Sequence, residues 1–185
     1  AYRTHIMGSR VYDATGIEHN IRMQGVQKFS CTNSTVYQAG LAAGGGKQLL
    51  TYRGWSQQET LGDPGLPTWS GIWAEHAYIS DNDMDGGPSG TGMAVEFAPQ
   101  NPGANEHIRT IIYECNFLHG LIGTGVGSEA ISGVTIRNNL FDLYSNDTYP
   151  GSVIFPYSRN DYTSPEGSDH WVYGNSCYSR ATTTN

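Results

Sequence analysis

A six-residue pattern recurs along the chain and constrains its fold more than any other feature. Each copy has an aliphatic residue, two mostly polar positions, Asn or Cys, any residue, and then Met, Phe or Cys. The copies lie at 79–84, 112–117, 136–141 and 172–177, with a degenerate copy at 29–34. Loops of varying length between short constant patterns are typical of solenoid proteins, because each repeat contacts only its neighbours.

A second short strand is predicted before each copy of the pattern. These strands lie at 21–23, 50–53, 95–97, 121–122 and 153–155. The alternation predicts about five rungs, each with two strands, a variable loop and a bend that carries the Asn. Asn accepts the left-handed backbone conformation of such a bend, and its side-chain amide can hydrogen-bond to the Asn of the next rung. Helical periodicity is nearly absent, with room for only a turn or two in residues 38–50.

The composition favours one all-β domain and excludes several classes of partner. The 185 residues include 24 Gly and 12 Tyr but only 10 Lys and Arg, and the formal net charge is −7. Nucleic acids and anionic membrane surfaces are bound by clustered positive charge, so neither is an expected partner. No apolar run is long enough to span a bilayer. Because an acidic, Lys-poor composition is common in extracellular bacterial β-proteins, we expect a secreted or cell-surface protein.

The first residue is Ala1, which suggests that a signal peptide has been removed or that the chain is a piece of a longer one. A single domain is predicted over residues 1–185, with neighbouring domains or end-to-end assembly left open. Cys31, Cys115 and Cys177 lack CxxC spacing, and three buried free thiols are favoured over one disulfide. No organic cofactor is expected, because the glycines at 123, 125 and 127 do not precede a predicted helix.

The segment 133–141, Gly-Val-Thr-Ile-Arg-Asn-Asn-Leu-Phe, resembles the right-handed parallel β-helix repeat of pectate-lyase-like proteins. The resemblance covers roughly residues 17–178 as a repeat pattern. It implies a right-handed parallel β-helix of about five rungs with long variable loops. Proteins with this fold include lyases, hydrolases, epimerases, phage tailspikes and inert adhesins, so the fold alone does not select a function.

A column of polar side chains is predicted on the first strands of three adjacent rungs. Alternation along a strand sends one set of side chains inward and the other outward. The predicted inward set is Ile21, Met23, Leu50, Tyr52, Val95 and Phe97. The predicted outward set is Arg22, Thr51, Arg53 and Glu96. Because neighbouring strands lie about 4.8 Å apart, the outward set can share one patch. We expect either a site for an acidic polysaccharide or an ion-pair ladder of purely structural value.

The stretch 47–54, Lys-Gln-Leu-Leu-Thr-Tyr-Arg-Gly, resembles the strand of alginate-lyase-like and chondroitinase-B-like β-helices that ends in an arginine before His-Gly. The His is missing here, since Gly follows Arg53 directly and Trp55 comes next. The resemblance implies β-elimination on a uronate-containing glycan. Arg53 and Arg22 would neutralise the uronate carboxylate, and His19 or Lys47 would remove the C5 proton. For His19, a hydrogen-bonded turn residue is the alternative.

Two further patterns indicate ligands. The alternate aspartates Asp81, Asp83 and Asp85, followed by a glycine, are similar to the opening of a calcium-binding loop. Gly92 stands where a closing carboxylate is usual, so an acidic solvated turn is the alternative. Aromatic residues near a long Gly- and Pro-containing loop favour stacking on sugar rings or packing onto the solenoid. These residues are Tyr52, Trp55, Trp69 and Trp73.

The sequence therefore predicts a secreted polysaccharide-degrading β-helix, lyase-like in its chemistry. One alternative is a glycoside hydrolase with paired carboxylates, in which Glu96 acts with Asp81, Asp83 or Glu114. Another is a non-catalytic glycan-binding or structural solenoid, similar to a tailspike or an adhesin. Glu114 and Arg137 are expected to stack outward on adjacent rungs as a salt bridge.

Overall fold

The structure is a computed structural model and describes residues 3–12, 19–37, 48–53, 74–87, 91–98, 108–129, 131–145, 152–157 and 169–181. Within these ranges all regular structure is β-strand, and no helix there is long and apolar enough to cross a membrane. The strands are β1 (Arg3–Met7), β2 (Arg10–Tyr12), β3 (Ile21–Gln24), β4 (Lys28–Thr32), β5 (Thr35–Tyr37), β6 (Leu50–Arg53), β7 (Ala74–Ser80), β8 (Asp83–Asp85), β9 (Thr91–Ala98), β10 (Ile108–Glu114), β11 (Phe117–Glu129), β12 (Ser132–Arg137), β13 (Leu140–Ser145), β14 (Ser152–Tyr157), β15 (Trp171–Tyr173) and β16 (Ser176–Ala181).

The strands stack in three parallel sheets. The first sheet contains β1, β4, β7, β10, β12 and β15 in this order. The second sheet contains β2, β5, β8, the first part of β11, β13 and β16. The third contains β3, β6, β9, the later part of β11 and β14. Since every sheet takes its strands in chain order, the chain visits the three sheets in turn. The fold is a parallel β-solenoid, which confirms the all-β prediction.

The strand register shows that two copies of the six-residue pattern were predicted in the wrong place. Tyr113 pairs with Ile79, so the copy predicted at 112–117 begins one residue later. Cys31 also pairs with Ile79, so the copy predicted at 29–34 begins two residues later. The prediction required an aliphatic or similar large apolar residue at the start of each copy. In the structure a fully buried Tyr and a fully buried Cys fill that inward column instead.

The one-residue shift changes which side chains of β11 face the core. Residues on a strand alternate between its two sides, so a slip of one residue exchanges inside and outside. Phe117 stands at the last position of the predicted copy, where Met84 and Phe141 are buried in their copies, but it lies on the outer surface and Leu118 is fully buried in its place. His119 therefore points outward together with Phe117.

A ladder of asparagine side chains joins neighbouring strands at the bend between the first and second sheets. Its members are Asn82, Asn116, Asn139 and Asn175. Asn116 Oδ1 accepts hydrogen bonds from Asn82 N at 3.0 Å and from Asn82 Nδ2 at 2.9 Å. Asn116 Nδ2 donates to the Ile79 carbonyl at 3.1 Å. The predicted amide ladder is confirmed.

The left-handed backbone of this bend belongs to the residue before each ladder residue. The non-glycine residues with this conformation at the bend are Asn33, which precedes Ser34, and Asp81, Cys115 and Asn138, which precede ladder residues; φ lies between 52° and 56°. The sequence prediction gave both roles to one Asn, whereas the structure divides them between two consecutive positions. The division has a physical reason: the ladder side chain must point inward, while the left-handed residue turns the chain and lies exposed.

Columns of apolar side chains fill the space between the three sheets. The fully buried residues with the largest side chains are Tyr52, Tyr113, Phe97, Phe141, Leu49, Leu50, Ile79, Met84, Ile111, Leu118, Ile122 and Ile136. The rings of Phe29 and Tyr52 stack with centroids 5.6 Å apart, and the Tyr52 hydroxyl donates to the Val26 carbonyl at 2.8 Å. Of the predicted inward set on the third sheet, all are buried except Met23, which is partly buried and packs against the core.

The three cysteines are free thiols, as favoured from the sequence, but only one of them is buried. Cys115 and Cys177 are exposed, so the prediction of three buried thiols was wrong. Cys115 lies outside because it is the left-handed residue of a bend. Burial raises the pKa of the Cys31 thiol to about 11.

Candidate functional site

The polar column of the third sheet lies in the predicted register. Arg22 pairs with Thr51, and Thr51 pairs with Glu96, across β3, β6 and β9. Arg53 follows two residues after Thr51, and its guanidinium forms an ion pair with the Glu96 carboxylate. The Thr51 hydroxyl accepts a hydrogen bond from Arg53 Nε at 3.2 Å and donates one to Glu96 at 3.4 Å. Thr51, Arg53 and Glu96 thus form one hydrogen-bonded group.

This group is largely shielded from solvent. Thr51 is 0% and Glu96 5% exposed, and the Arg53 side chain is 17% exposed. A buried carboxylate requires a charged partner, because desolvation of a lone ion is costly. Arg53 supplies that partner, so the Glu96 carboxylate already neutralises the charge of the Arg53 guanidinium within the protein. Arg22 lies at the exposed end of the column and donates to Gln24 at 2.9 Å.

Of the other residues predicted for this site, the structure describes His19 and Tyr52. His19 is half-buried, and its Nδ1 accepts a hydrogen bond from Gln48 N at 3.3 Å, as in the turn-residue alternative. Tyr52 is fully buried in the core. Lys47, Trp55, Trp69 and Trp73 lie outside the described residues.

The three aspartates predicted to bind calcium occupy two different positions. Asp81 is the left-handed residue of the bend before β8, whereas Asp83 and Asp85 project outward from β8 itself. Asp85 Oδ1 accepts a hydrogen bond from Gly87 N at 2.8 Å. In the described part of the chain, no group of three His, Cys, Asp or Glu side chains is arranged to hold a metal ion. Calcium binding stays a prediction.

A single row of outward side chains crosses the second sheet, and sequence reasoning did not identify it. We call it the His119 row. Its members pair in register from strand to strand. In order they are Tyr12, Tyr37, Asp85, His119, Asp142 and Tyr178. The row places an imidazole between two carboxylates at its centre and tyrosines at both ends.

The imidazole of His119 contacts side chains of the neighbouring strand β8 and of its own strand β11. Its Nε2 lies 2.7 Å from Asp83 Oδ1, and its Nδ1 lies 3.8 Å from Asp85 Oδ1. The ring stacks on Phe117 with centroids 4.4 Å apart and planes inclined by 19°. The His119 side chain is 27% exposed, so it is accessible while its orientation is restrained. An accessible histidine with a fixed carboxylate partner is suited to proton transfer.

A glycine on the neighbouring strand gives Asp85 its position. Gly120 has φ of +92°, and a Cβ atom built on it would lie 2.6 Å from Asp85 Oδ1. Any larger residue at this position would displace the Asp85 carboxylate and would also strain the backbone. The close approach of Asp85 to β11 therefore depends on Gly120.

Asp142, on the other side of His119, has one oxygen bonded and one oxygen unsatisfied. Its Oδ2 accepts a hydrogen bond from Arg180 Nη2 at 2.7 Å. Its Oδ1 is buried, and among the described residues no group donates a hydrogen bond to it. The Arg180 guanidinium also lies over the Tyr144 ring, 5.6 Å from the centroid. Among the described residues, Asp142 is therefore held through Oδ2 alone.

A second polar network lies on the outside of the first sheet. Glu114 accepts hydrogen bonds from the Tyr78 hydroxyl at 2.7 Å and from Arg137 Nε at 2.5 Å. Arg137 Nη1 donates to the Tyr173 hydroxyl at 2.9 Å. These bonds from Tyr78 and Arg137 lower the pKa of the Glu114 carboxyl below its ordinary value. The predicted Glu114–Arg137 salt bridge is confirmed, and the network ties β7, β10, β12 and β15 together.

The His119 row was missed because of the one-residue error in the repeat. The predicted copy ended at Phe117, and His119 was not considered as a candidate; of the row, only Asp85 was named, as a calcium ligand. The signal that identifies the row is the ladder position. Aligning the sequence on Asn82, Asn116 and Asn139 places Asp85, His119 and Asp142 at the same offset of three residues.

Comparisons with models of protein families, with curated protein sequences and with solved structures gave no match to this chain.

Proposed function

We propose that the protein is a secreted, right-handed parallel β-helix of about five rungs that binds a polysaccharide on the outer face of its second sheet and hydrolyses it there. The proposal keeps the polysaccharide substrate that the sequence predicts. It takes the paired-carboxylate alternative in place of the favoured lyase, and it moves the carboxylates from Glu96 and its partners to the His119 row. The observation that carries it is the His119 imidazole, bound to Asp83 and placed between strands that present Asp85 and Asp142.

Hydrolysis of a glycosidic bond adds water across it. One group removes a proton from the attacking water, and another protonates the leaving oxygen. Asp85 and Asp142 are separated by two strand spacings, or about 9.6 Å between their Cα atoms. Inverting glycosidases hold their two carboxyl groups about 6.5–9.5 Å apart, a separation that two aspartate side chains can reach from Cα atoms at this spacing. We assign these two roles to Asp85 and Asp142.

His119 acts with Asp85 on the attacking water. We assign the Nε2–H tautomer to His119 from its hydrogen bond to Asp83, which leaves Nδ1 as a proton acceptor facing Asp85. A water between Nδ1 and the Asp85 carboxylate can give up its proton to either group. Asp83 is then a positioning residue, since it fixes the ring through the opposite nitrogen.

The apolar surface around the row is suited to sugar rings. Sugars present flat CH faces that stack on aromatic side chains. Half of the large hydrophobic residues that are exposed in the described part of the chain lie on this face. They are Tyr12, Phe117, Leu140, Tyr144 and Tyr178. A glycan bound across the face would cover them and would bring its linkages close to His119.

The second candidate function is β-elimination on a uronate-containing glycan at the third sheet. Its support is the register of Arg22, Thr51 and Glu96 together with the adjacent Arg53. For this reaction a substrate carboxylate must compete with Glu96 for the Arg53 guanidinium. The competition makes this candidate the less favoured one.

A polysaccharide panel tests the two candidates together. Hydrolysis releases reducing ends without ultraviolet absorbance, whereas β-elimination produces both reducing ends and an absorbing unsaturated sugar. We expect reducing ends alone, and a loss of kcat of about 100-fold or more in each of Asp85→Asn, Asp142→Asn and His119→Ala. Asp81→Asn is the matched control, because Asp81 is an exposed bend residue off the His119 row and Asn occupies the equivalent bend position at 138.

Three results would contradict the proposal in different ways. Absorbance that rises with reducing ends and is lost in Arg53→Ala would transfer the reaction to the third sheet. Glycan binding without turnover on the whole panel would indicate the non-catalytic solenoid. Equal activity of Asp142→Asn and Asp81→Asn would remove the second carboxylate from the mechanism. Repeating the assays with added calcium and with Asp83→Asn tests the predicted metal ligands.

A further inference from the structure

We propose that the two ends of the solenoid bind each other, so that copies of this chain join head to tail. The first end is formed by β1 and β2, and the last end by β15 and β16. In the described part of the chain, each of these four strands pairs with a strand on one side only. The proposal does not depend on the proposed function, because it concerns the edges of the stack and requires no catalysis.

The most exposed apolar side chains of the described residues lie on these four strands. Ten large hydrophobic residues are exposed there, and six of them belong to the end strands. These six are 48–75% exposed, whereas the other four are 36–41% exposed. End repeats of a soluble solenoid carry a polar outer face, and open strand edges pair with other chains. The six residues therefore indicate a contact surface: Met7 and Tyr12 at the first end, and Trp171, Val172, Tyr173 and Tyr178 at the last.

Two apolar columns of the core are uncovered at both ends. Val172 and Cys177 stand at inward positions of the strand register, yet both are exposed. The same two columns begin at the first end with Ile6 and Val11, which are partly buried against the core. In this register a second copy would place its Ile6 on Val172 and its Val11 on Cys177. Both contacts remove apolar surface from water and continue the core from one copy into the next.

The ladder at the bend runs in one direction and ends in a donor. In each rung, the backbone N–H of the ladder residue donates to the ladder side chain of the following rung. The first such bond joins Ser9 N to Ser34 Oγ at 3.1 Å, and the last joins Asn139 N to Asn175 Oδ1 at 2.9 Å. Among the described residues, no acceptor meets the N–H of Asn175. The last end therefore presents a donor that requires an acceptor from a further rung.

The first end presents the matching acceptor. Ser34 Oγ donates to the Thr32 carbonyl at 3.0 Å and accepts from the rung before it. Ser9 Oγ donates to the Met7 carbonyl at 3.2 Å in the same arrangement, so its lone pair can accept from the N–H of Asn175 in a preceding copy. Contact between two last ends would place donor against donor. The ladder therefore selects head-to-tail contact over contact between identical ends.

Outward side chains at the two ends also complement each other. Trp171 and His5 occupy the same position of the first-sheet register. The exposed Asp169 lies two residues before Trp171, and the exposed Arg3 lies two residues before His5. Stacking the ends thus brings opposite charges to the same position, which fixes the orientation and register of the contact. Because a head-to-tail contact leaves one end open on each side, it produces linear chains of copies.

Sedimentation velocity in reducing buffer, over about a 100-fold range of protein concentration, tests the proposal. For the native protein we expect linear oligomers whose fraction rises with concentration. Val172→Lys places a charge in the apolar junction and should leave a monomer at every concentration. Leu140→Lys is the matched control, because Leu140 is an exposed aliphatic residue of β13, which has a paired strand on both sides. The control should assemble as the native protein does.

A mixture of two blocked variants tests the direction of the contact. Ile6→Lys blocks the first end and Val172→Lys blocks the last, so each variant alone should be monomeric. Mixed together, they retain one intact end of each kind and should form a dimer with one copy of each and nothing larger. A dimer of either variant alone would indicate contact between identical ends and would overturn head-to-tail joining.

Thiol labelling of the native protein gives a readout that does not depend on the folding of any variant. Cys177 lies in the junction, whereas Cys115 is exposed at a bend between inner strands. Dilution to monomer should leave both thiols reactive, and assembly should slow the labelling of Cys177 by about 5-fold or more without slowing that of Cys115. A native protein that stays monomeric, Val172→Lys that assembles like Leu140→Lys, or unchanged labelling of Cys177 in assembled protein would overturn the proposal.

Discussion

Replacement of Asn116 by Ala tests how much the asparagine ladder contributes to stability. The Asn116 side chain is 2% exposed and makes four hydrogen bonds, to Asn82 N, Asn82 Nδ2, the Ile79 carbonyl and Asn139 Oδ1. In the variant, Asn82 Nδ2 keeps its bond to the Cys31 carbonyl, and Asn139 Oδ1 keeps its bond to Asn116 N. The Asn82 backbone N–H loses its acceptor inside the protein.

The expected loss follows from these four bonds. A buried donor without a partner costs about 1–3 kcal/mol, and each other lost bond costs about 0.5–1.5 kcal/mol. We expect Asn116→Ala to lower the free energy of unfolding by about 4 kcal/mol. A loss of this size is a large fraction of the stability of an ordinary domain, about 5–15 kcal/mol.

Urea denaturation followed by far-ultraviolet circular dichroism measures the loss. Asn175→Ala is the matched control, because Asn175 is only half-buried and makes three comparable bonds, to Asn139 N, Asn139 Nδ2 and the Ile136 carbonyl. Water can replace its bonds, so we expect a loss of about 1–2 kcal/mol there. Equal losses in the two variants, or a loss below about 1.5 kcal/mol for Asn116→Ala, would refute the claim that the buried ladder stabilises the stacked strands.

Three further predictions concern strain, pH and the thiols. Thr110 is a β-branched residue with φ of 59°, a strained backbone conformation for such a residue. Thr110→Gly should therefore raise the free energy of unfolding by about 1 kcal/mol in the same urea assay. A lower stability of the variant would contradict the assignment of strain. The neighbours of Glu114 lower the pKa of its carboxyl in the folded state. The contribution of Glu114 to stability is therefore present above the pKa of the carboxyl in the unfolded chain, and it is lost as the pH falls through the pKa of the carboxyl in the folded protein. Glu114→Gln should therefore weaken the decline of Tm below about pH 5, and an unchanged decline would assign it to other carboxyls. Cys115 and Cys177 are exposed and should react with a thiol reagent in the native protein, whereas the buried Cys31 should react only after unfolding. Mass spectrometry of labelled peptides measures this difference. Rapid labelling of Cys31 in the native protein would contradict its burial.

The interior of the solenoid could be predicted from local patterns, although not without error. Alternation along short strands correctly placed Leu50, Val95 and Phe97 inside and paired Glu114 with Arg137 across strands. These properties follow from the period of two in a strand and from the repeat. The same reasoning failed at 112–117, because a pattern built on aliphatic residues does not reveal that a Tyr can occupy the inward column.

The candidate site was harder to predict because its members are far apart in the sequence. Asp85, His119 and Asp142 come from three strands separated by long or variable connections, and no local motif links them. The separate second sheet was not predicted at all, since its strands are short and directly follow the bend. Without that sheet, there was no face on which to place these residues.

The amino-acid sequence by itself determined the repeat, the all-β class, the asparagine ladder and the alternation of buried and exposed positions. These depend on side-chain size and polarity at short, regular spacing, which the chain carries locally. Only the tertiary structure decided the register of the second sheet, and register determines which side chains meet there. It brought His119 between Asp85 and Asp142, because a shift of one residue would have turned each of them to the opposite side of the sheet.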